Sequence, residues 1–301
     1  MRTAFIEALC REAGRDERIW LLTGDLGYSV LEPYADRFPT RFVNVGVAEQ
    51  NMTGVAAGLA MSGKVVFTYS IGNFSTFRCL EQIRNDVCYH DLDVKVVSVG
   101  GGLAYGALGY THHAVEDLAV MRALPNLRVL APGDPHEARM ATEALARTPG
   151  PGYLRLGKAG EPEVHAARPE GGIDRVLVLR EGTGPALLST GGILAQALKA
   201  ADALAERGVP VTLASVPTLQ PLDEEGILRI AGRTDRVVTL EEHGPGGLAS
   251  AVAELLATTG TRARLVPLRL PHRPAKAVGS QEALRAAYGL GVEDIVRAVA
   301  G

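Results

Sequence analysis

Residues 41–58, RFVNVGVAEQNMTGVAAG, hold the switch on which the fold is read. Phe42, Val43 and Val45 suit a buried strand, whereas Ala48, Met52, Val55, Ala56 and Leu59 recur near a period of 3.6 and predict a helix. Glu49 falls at the start of that helix, so one carboxyl group sits at a strand-to-helix corner, where open parallel sheets gather ligands. The amino end of the helix favours the ionised form, and apolar surroundings favour the protonated one. A solvated Glu in a first helical turn is the ordinary case; an enclosed one becomes a proton donor near neutrality. These residues alone leave both readings open.

Outward from this corner, the chain of 301 residues has length for two domains and a sizeable core. Its 47% hydrophobic and 22% charged residues are ordinary for an α/β protein. A net charge of −3, with acidic and basic residues evenly mixed, gives no footprint for nucleic acid. No apolar run reaches membrane-spanning length, so no membrane partner is expected. The first residues, MRTAFIEALCREAG, read as an amphipathic helix rather than a signal peptide. Cys10, Cys79 and Cys88 lack metal-ligand spacing and predict buried free thiols in a reducing cytoplasm, with no metal bound by this chain.

Short apolar runs alternate with helical spacing along the whole chain. Ile19–Leu22, Lys64–Tyr69, Val94–Val99, Arg128–Ala131 and Tyr153–Leu156 read as strands; Gly72–His90, Glu116–Leu124 and Pro135–Arg147 read as helices. Alternation of this kind predicts doubly wound parallel sheets. A second α/β unit starts near Val176 and ends in a helix through Ile295. The expected division is residues 1–160, a Gly/Pro/charge-rich linker at 161–174, and residues 175–301. Gly100, Gly101, Gly102, Gly106 and Gly109 crowd one loop ending in Tyr110, Thr111, His112 and His113, where backbone can approach a ligand closely. Glu241, Glu242 and His243 look like an acid/base set, but the Pro245, Gly246 and Gly247 that follow favour a helix-entry loop.

The 41–58 stretch, together with GNFSTFRCLEQIRND, GALGYTHHAVED, MRALPNLRVLAPGD, LLSTGG, PTLQPLD and EEHGPGG, resembles the transketolase family of thiamine diphosphate enzymes over nearly the whole chain. More narrowly, it resembles the carboxyl-terminal subunit of transketolases split into two chains, a pyrimidine-binding domain followed by the family's C-terminal domain. The GDG motif and downstream Asn that hold metal and diphosphate in the family have no counterpart here; GDL at 24–26 and GDP at 133–135 are the nearest strings. The resemblance therefore implies half an active site. An N-terminal subunit would bind the diphosphate and a Mg2+ or Ca2+ ion, in a heterotetramer of two copies of each chain.

By residue, the resemblance implies that Glu49 protonates N1′ of the cofactor pyrimidine, that Phe77 stacks on that ring, and that Phe74 forms a second wall. Leu80 stands where a third aromatic is usual. Asp25 and Leu26 match positions that touch the cofactor. His112 matches a histidine that stabilises an oxyanion and shuttles protons, and His113 flanks it. Arg2, Ser29 and Lys158 fall at or near positions that bind a sugar phosphate, with Arg155 as a nearby second cation. Lys158 in place of Arg keeps the charge and loses the two-pronged donor. Gly100 and Leu108 replace a histidine and an aspartate that read the sugar, which redirects hydroxyl recognition. The implied reaction is transfer of a two-carbon ketol unit. Alternatives are the beta subunit of a 2-oxoacid dehydrogenase or a deoxyxylulose-phosphate synthase-like enzyme using pyruvate, and a non-catalytic scaffold.

Overall fold

The structure, a computed structural model, describes residues 1–301 as two α/β layers built on separate sheets. The first sheet takes strands β1 (Ile19–Thr23), β2 (Phe42–Asn44), β3 (Val65–Ile71), β4 (Val94–Val99), β5 (Arg128–Leu130) and β6 (Gly152–Leu156). All six run parallel, in the order β5-β6-β4-β3-β1-β2. Every residue of β4 and β6 is buried, as the continuous β-branched run at 94–99 requires for a strand covered on both faces. The second sheet has β7 (Leu177–Arg180), β8 (Ala186–Ser189), β9 (Thr212–Ser215), β11 (Arg236–Leu240) and β12 (Arg264–Leu268), all parallel except β7.

Several expectations are corrected. The strand in the 41–58 stretch is a three-residue edge strand, only half-buried, because no further strand covers β2. Val55 faces outward, since the helix Glu49–Met61 buries Met52, Thr53, Ala56, Ala57 and Ala60. The segment 72–90 is not one helix. It divides into a turn of helix at Gly72–Ser75, a tight turn at Phe77–Cys79, three α-helical residues at Leu80–Gln82, and a wide π-type turn at Ile83–Cys88. Thr76, with φ −110° and ψ −81°, lies outside helical geometry and makes the break. The terminal helix is two, Gln281–Ala287 and Val292–Ala300.

Residues 157–176 carry no helix or strand. The halves are nonetheless laced together. Strand β10 (Thr218–Gln220), from the second half, closes the edge of the first sheet antiparallel to β5. Ala131 N–H donates to Pro217 O at 2.7 Å and Gly191 N–H to Ala131 O at 2.9 Å. One apolar cluster joins Leu22, Met52 and Val129 to Val216, Leu219 and Val252. All three cysteines are buried and unpaired, and no helix is long and apolar enough to cross a membrane.

A buried polar cluster seals the junction. Arg155 donates to Asp117 at 2.9 and 3.3 Å and to the carbonyls of Ala114 (2.6 Å) and Glu242 (3.1 Å), and the Tyr153 hydroxyl donates to Asp117 at 2.6 Å. Glu241 accepts from the Leu248 and Ala249 amides at 2.7 and 2.9 Å, capping the helix Leu248–Thr259. Burial pushes its pKa up to about 7 against those two amides. His243 is enclosed, with Nδ1 2.9 Å from Gly244 O and Nε2 3.4 Å from the Ala119 amide. That pairing needs the neutral ring, in which Nδ1–H donates and Nε2 accepts.

Burial pushes the His243 pKa down to about 4 from an ordinary 6.5, with Asp117 opposing the shift and Arg155 assisting it. The unfolded chain takes up this proton near pH 6.5 and the folded one only near 4. His243 therefore contributes stability that is complete above pH 6.5 and declines as pH falls toward 4. The urea midpoint of the wild type is expected to drop more over that window than that of His243→Asn. Equal slopes for the two proteins would contradict this.

Candidate active site

The site is built where the parallel strands of the first sheet end. β1 runs into Gly24-Asp25-Leu26, β2 into the helix that begins at Glu49, β3 into Phe74, β4 into the glycine-rich loop, and β6 into Lys158. Carboxyl ends of adjacent parallel strands are where such sheets bind ligands.

Glu49 is 1% exposed, so the solvated-cap reading is set aside. No side chain caps the helix it starts, because Ala48 occupies the capping position. Its Oε2 accepts from Arg78 Nη1 at 2.7 Å, while Oε1 has one long contact, 3.4 Å from the Ser70 hydroxyl. One carboxylate oxygen is thus buried and nearly unpartnered, an unstable arrangement unless a ligand group completes it. Gly24 lies against the same side chain: a Cβ there would stand 3.4 Å from Glu49 Cγ.

A file of side chains leads away from Glu49. The Arg78 guanidinium sits 4.8 Å over the Phe74 ring, Phe74 meets His112 edge-on at 5.2 Å, and His112 meets Tyr105 at 6.3 Å. Lys158 Nζ stands 5.4 Å from the Tyr105 centroid. Phe77, displaced by the break at Thr76, is 38% exposed and offers its ring to the outside. His112 is half-buried, its Nδ1 3.0 Å from the Thr111 hydroxyl. Asp25, at φ +58°, accepts from Asn44 Nδ2 at 2.9 Å and from the Tyr28 hydroxyl at 3.0 Å, which holds its pKa below the usual carboxylate value. Leu26 is half-buried beside it. Ser29, at φ +63°, is exposed and donates its amide to Glu32 at 2.8 Å. Arg2 opens the first helix, with its Nε buried and unpartnered.

Two expected substrate contacts are corrected. Arg155 is not a surface cation: it is 4% exposed, with Nε and Nη2 held by Asp117 and two carbonyls and only Nη1 free of a hydrogen bond. His113 is fully enclosed, 3.3 Å from Gly106 O, and packs beneath the loop instead of lining its mouth. Sequence reasoning misses Arg78, Asn44 and Tyr105. Arg78 and Asn44 act on residues 29 and 19 positions away, and no local period marks such contacts.

Around the site, Tyr28, Val47, Val55, Met61 and Leu108 expose apolar surface, and Gly54 and Gly58 have open space above them.

Comparison with known proteins gives two family matches: transketolase, pyrimidine binding domain, over residues 1–160, and transketolase, C-terminal domain, over residues 174–295. The chain is 35% identical to a subunit of the apulose-4-phosphate transketolase of Phocaeicola vulgatus, covering 98% of this chain and 95% of that one. It is 37% identical to the 6-deoxy-6-sulfo-D-fructose transketolase subunit SqwH of a Clostridium species, covering 99% and 92%. Among solved structures, a split-gene transketolase described as an inactive beta4 tetramer superposes with a TM-score of 0.89 at 38% identity, covering 99% of this chain and 96% of that one.

Proposed function

The chain belongs to the transketolase family of thiamine diphosphate-dependent transferases, and from that premise we propose that it is the C-terminal subunit of a split transketolase. In this reading it passes a two-carbon ketol unit from a phosphorylated ketose to an aldehyde. The observation that carries the proposal is the buried Glu49 carboxyl, with Oε1 almost unpartnered and Oε2 held by Arg78, whose guanidinium lies over the Phe74 ring. A buried carboxyl with one free oxygen suits a ring nitrogen of an aminopyrimidine, whose faces Phe74 and the exposed Phe77 would cover.

When bound, thiamine diphosphate supplies the carbanion chemistry that breaks a carbon–carbon bond beside a carbonyl. Glu49 holds and releases the proton at the pyrimidine N1′ through Oε1, and Phe77 and Phe74 orient the ring while excluding water. Asp25 and Leu26 contact the cofactor from the β1 loop. His112, held between Phe74 and Tyr105, moves protons at the substrate oxygen. Arg2, Ser29 and Lys158 receive the phosphate end of the sugar.

The diphosphate and its Mg2+ or Ca2+ fall to an N-terminal subunit, since the chain has no GDG motif of its own. The apolar rim of Val47, Val55 and Met61 supports docking of that subunit, in an assembly of two copies of each chain. Leu108, 55% exposed, presents a methyl surface where sugar readers carry a carboxylate, which relaxes hydroxyl recognition at that position.

The test is ketol transfer by the purified chain mixed with a protein bearing the missing diphosphate half. Activity on xylulose 5-phosphate with an aldose phosphate acceptor is expected only from the mixture. Activity confined to pyruvate would overturn the reading.

A further inference from the structure

Gly100 ends β4 at φ +88°, and a Cβ placed on it would stand 2.1 and 2.2 Å from two atoms of the Tyr105 ring. The ring therefore occupies the space that a side chain at residue 100 would need. Residue 100 and residue 105 compete for one niche, and here the tyrosine holds it.

The niche is lined with groups that suit an anion. The Arg2 guanidinium lies close enough to the Tyr105 phenol to favour its ionised form, and the Lys158 ammonium stands over the ring. Burial outweighs Arg2 and holds the Tyr105 pKa above the ordinary tyrosine value, so the hydroxyl remains a donor through the neutral range. Arg2 Nε and the Tyr69 hydroxyl are buried in the same niche, where Arg2 faces that hydroxyl and neither group bonds to anything else. Glu161 also faces Tyr105, but its carboxylate is neutralised by the chain's amino terminus at 2.8 Å. Arg2, Lys158 and the Tyr69 phenol thus gather around Tyr105, whose ring stands 6.3 Å from His112.

We propose that Tyr105 is the specificity-determining residue for the anionic end of the substrate: its hydroxyl, flanked by Arg2 and Lys158, donates to the terminal phosphate of a phosphorylated sugar, in the niche that Gly100 leaves free. This rests on the transketolase reading above. Its ring also forms one wall of the slot around His112, so the residue has two separable duties. Phe at this position keeps the wall and loses the donor; Leu loses both.

The assay uses the chain with its N-terminal partner, comparing ribose 5-phosphate and ribose as acceptors. Tyr105→Phe is expected to lower the preference for ribose 5-phosphate on the order of tenfold, through KM and not kcat. Tyr105→Leu is expected to shift the pH profile of kcat as well, because His112 loses a wall. An unchanged preference in Tyr105→Phe overturns the proposal. Calorimetric titration of the chain itself with inorganic phosphate decides the matter without turnover: weaker binding by Tyr105→Phe supports it, and equal or absent binding by both proteins overturns it. Absence of ketol transfer by the wild-type mixture alongside intact phosphate binding would fault the parent reading alone.

Discussion

Replacing Glu49 by Gln is expected to lower kcat of the reconstituted complex by about 10²–10⁴-fold, the range for removing a positioned proton donor. The amide matches the carboxyl in shape, so it retains the Ser70 contact and the packing against Gly24. What it lacks is a proton to give and take at the oxygen left free for a ligand. The substitution also breaks the pair with Arg78, but Arg78 is 45% exposed, and a pair screened in this way contributes at most about 1 kcal/mol. The folded chain should therefore show an unchanged far-ultraviolet circular dichroism spectrum and a nearly unchanged urea midpoint beside the large loss in turnover. A loss under about tenfold would place Glu49 outside the chemistry and favour a scaffold role for the chain.

The largest effect on stability is expected from Asp117→Ala. Asp117 is fully buried and is the only carboxylate that pairs with the buried Arg155. It also accepts from the Tyr153 hydroxyl. Removing one member of such a pair leaves a guanidinium out of water with only the Glu242 carboxylate, to which it is not bonded, as counter-charge, which destabilises by about 3–5 kcal/mol. Because Arg155 also donates to Glu242 O in the second half, the loss should appear as a lower urea midpoint for both halves together. A change under about 1 kcal/mol would mean that water reaches Arg155 and that the junction is open.

Much of this site is legible in sequence because its parts are local. The turn from strand to helix at 41–58 places Glu49, and the GNFSTF string places two aromatics, Phe74 and Phe77, just past the end of β3. Arg155 is misread for a physical reason. In YLRLGK it looks like a cation at a strand end, and only the fold reveals Asp117 38 residues earlier in sequence yet 2.9 Å away. β10 is three residues long, too short for any period, and its partner β5 lies in the other half of the chain. Tyr105 is hidden by the same kind of distance from its meaning. Its weight comes from the empty Cβ position at Gly100 and from Arg2, which is brought over from the first turn of the chain.

The claim on which the account turns is that Glu49 Oε1 meets the pyrimidine N1′. A crystal structure of the chain with its N-terminal partner and thiamine diphosphate measures that contact directly. The expected separation is a short charge-assisted hydrogen bond of roughly 2.7 Å, with Phe77 stacked on the ring. A pyrimidine seated elsewhere, with Glu49 still closed on Arg78 and Oε1 turned from the ligand, would contradict it.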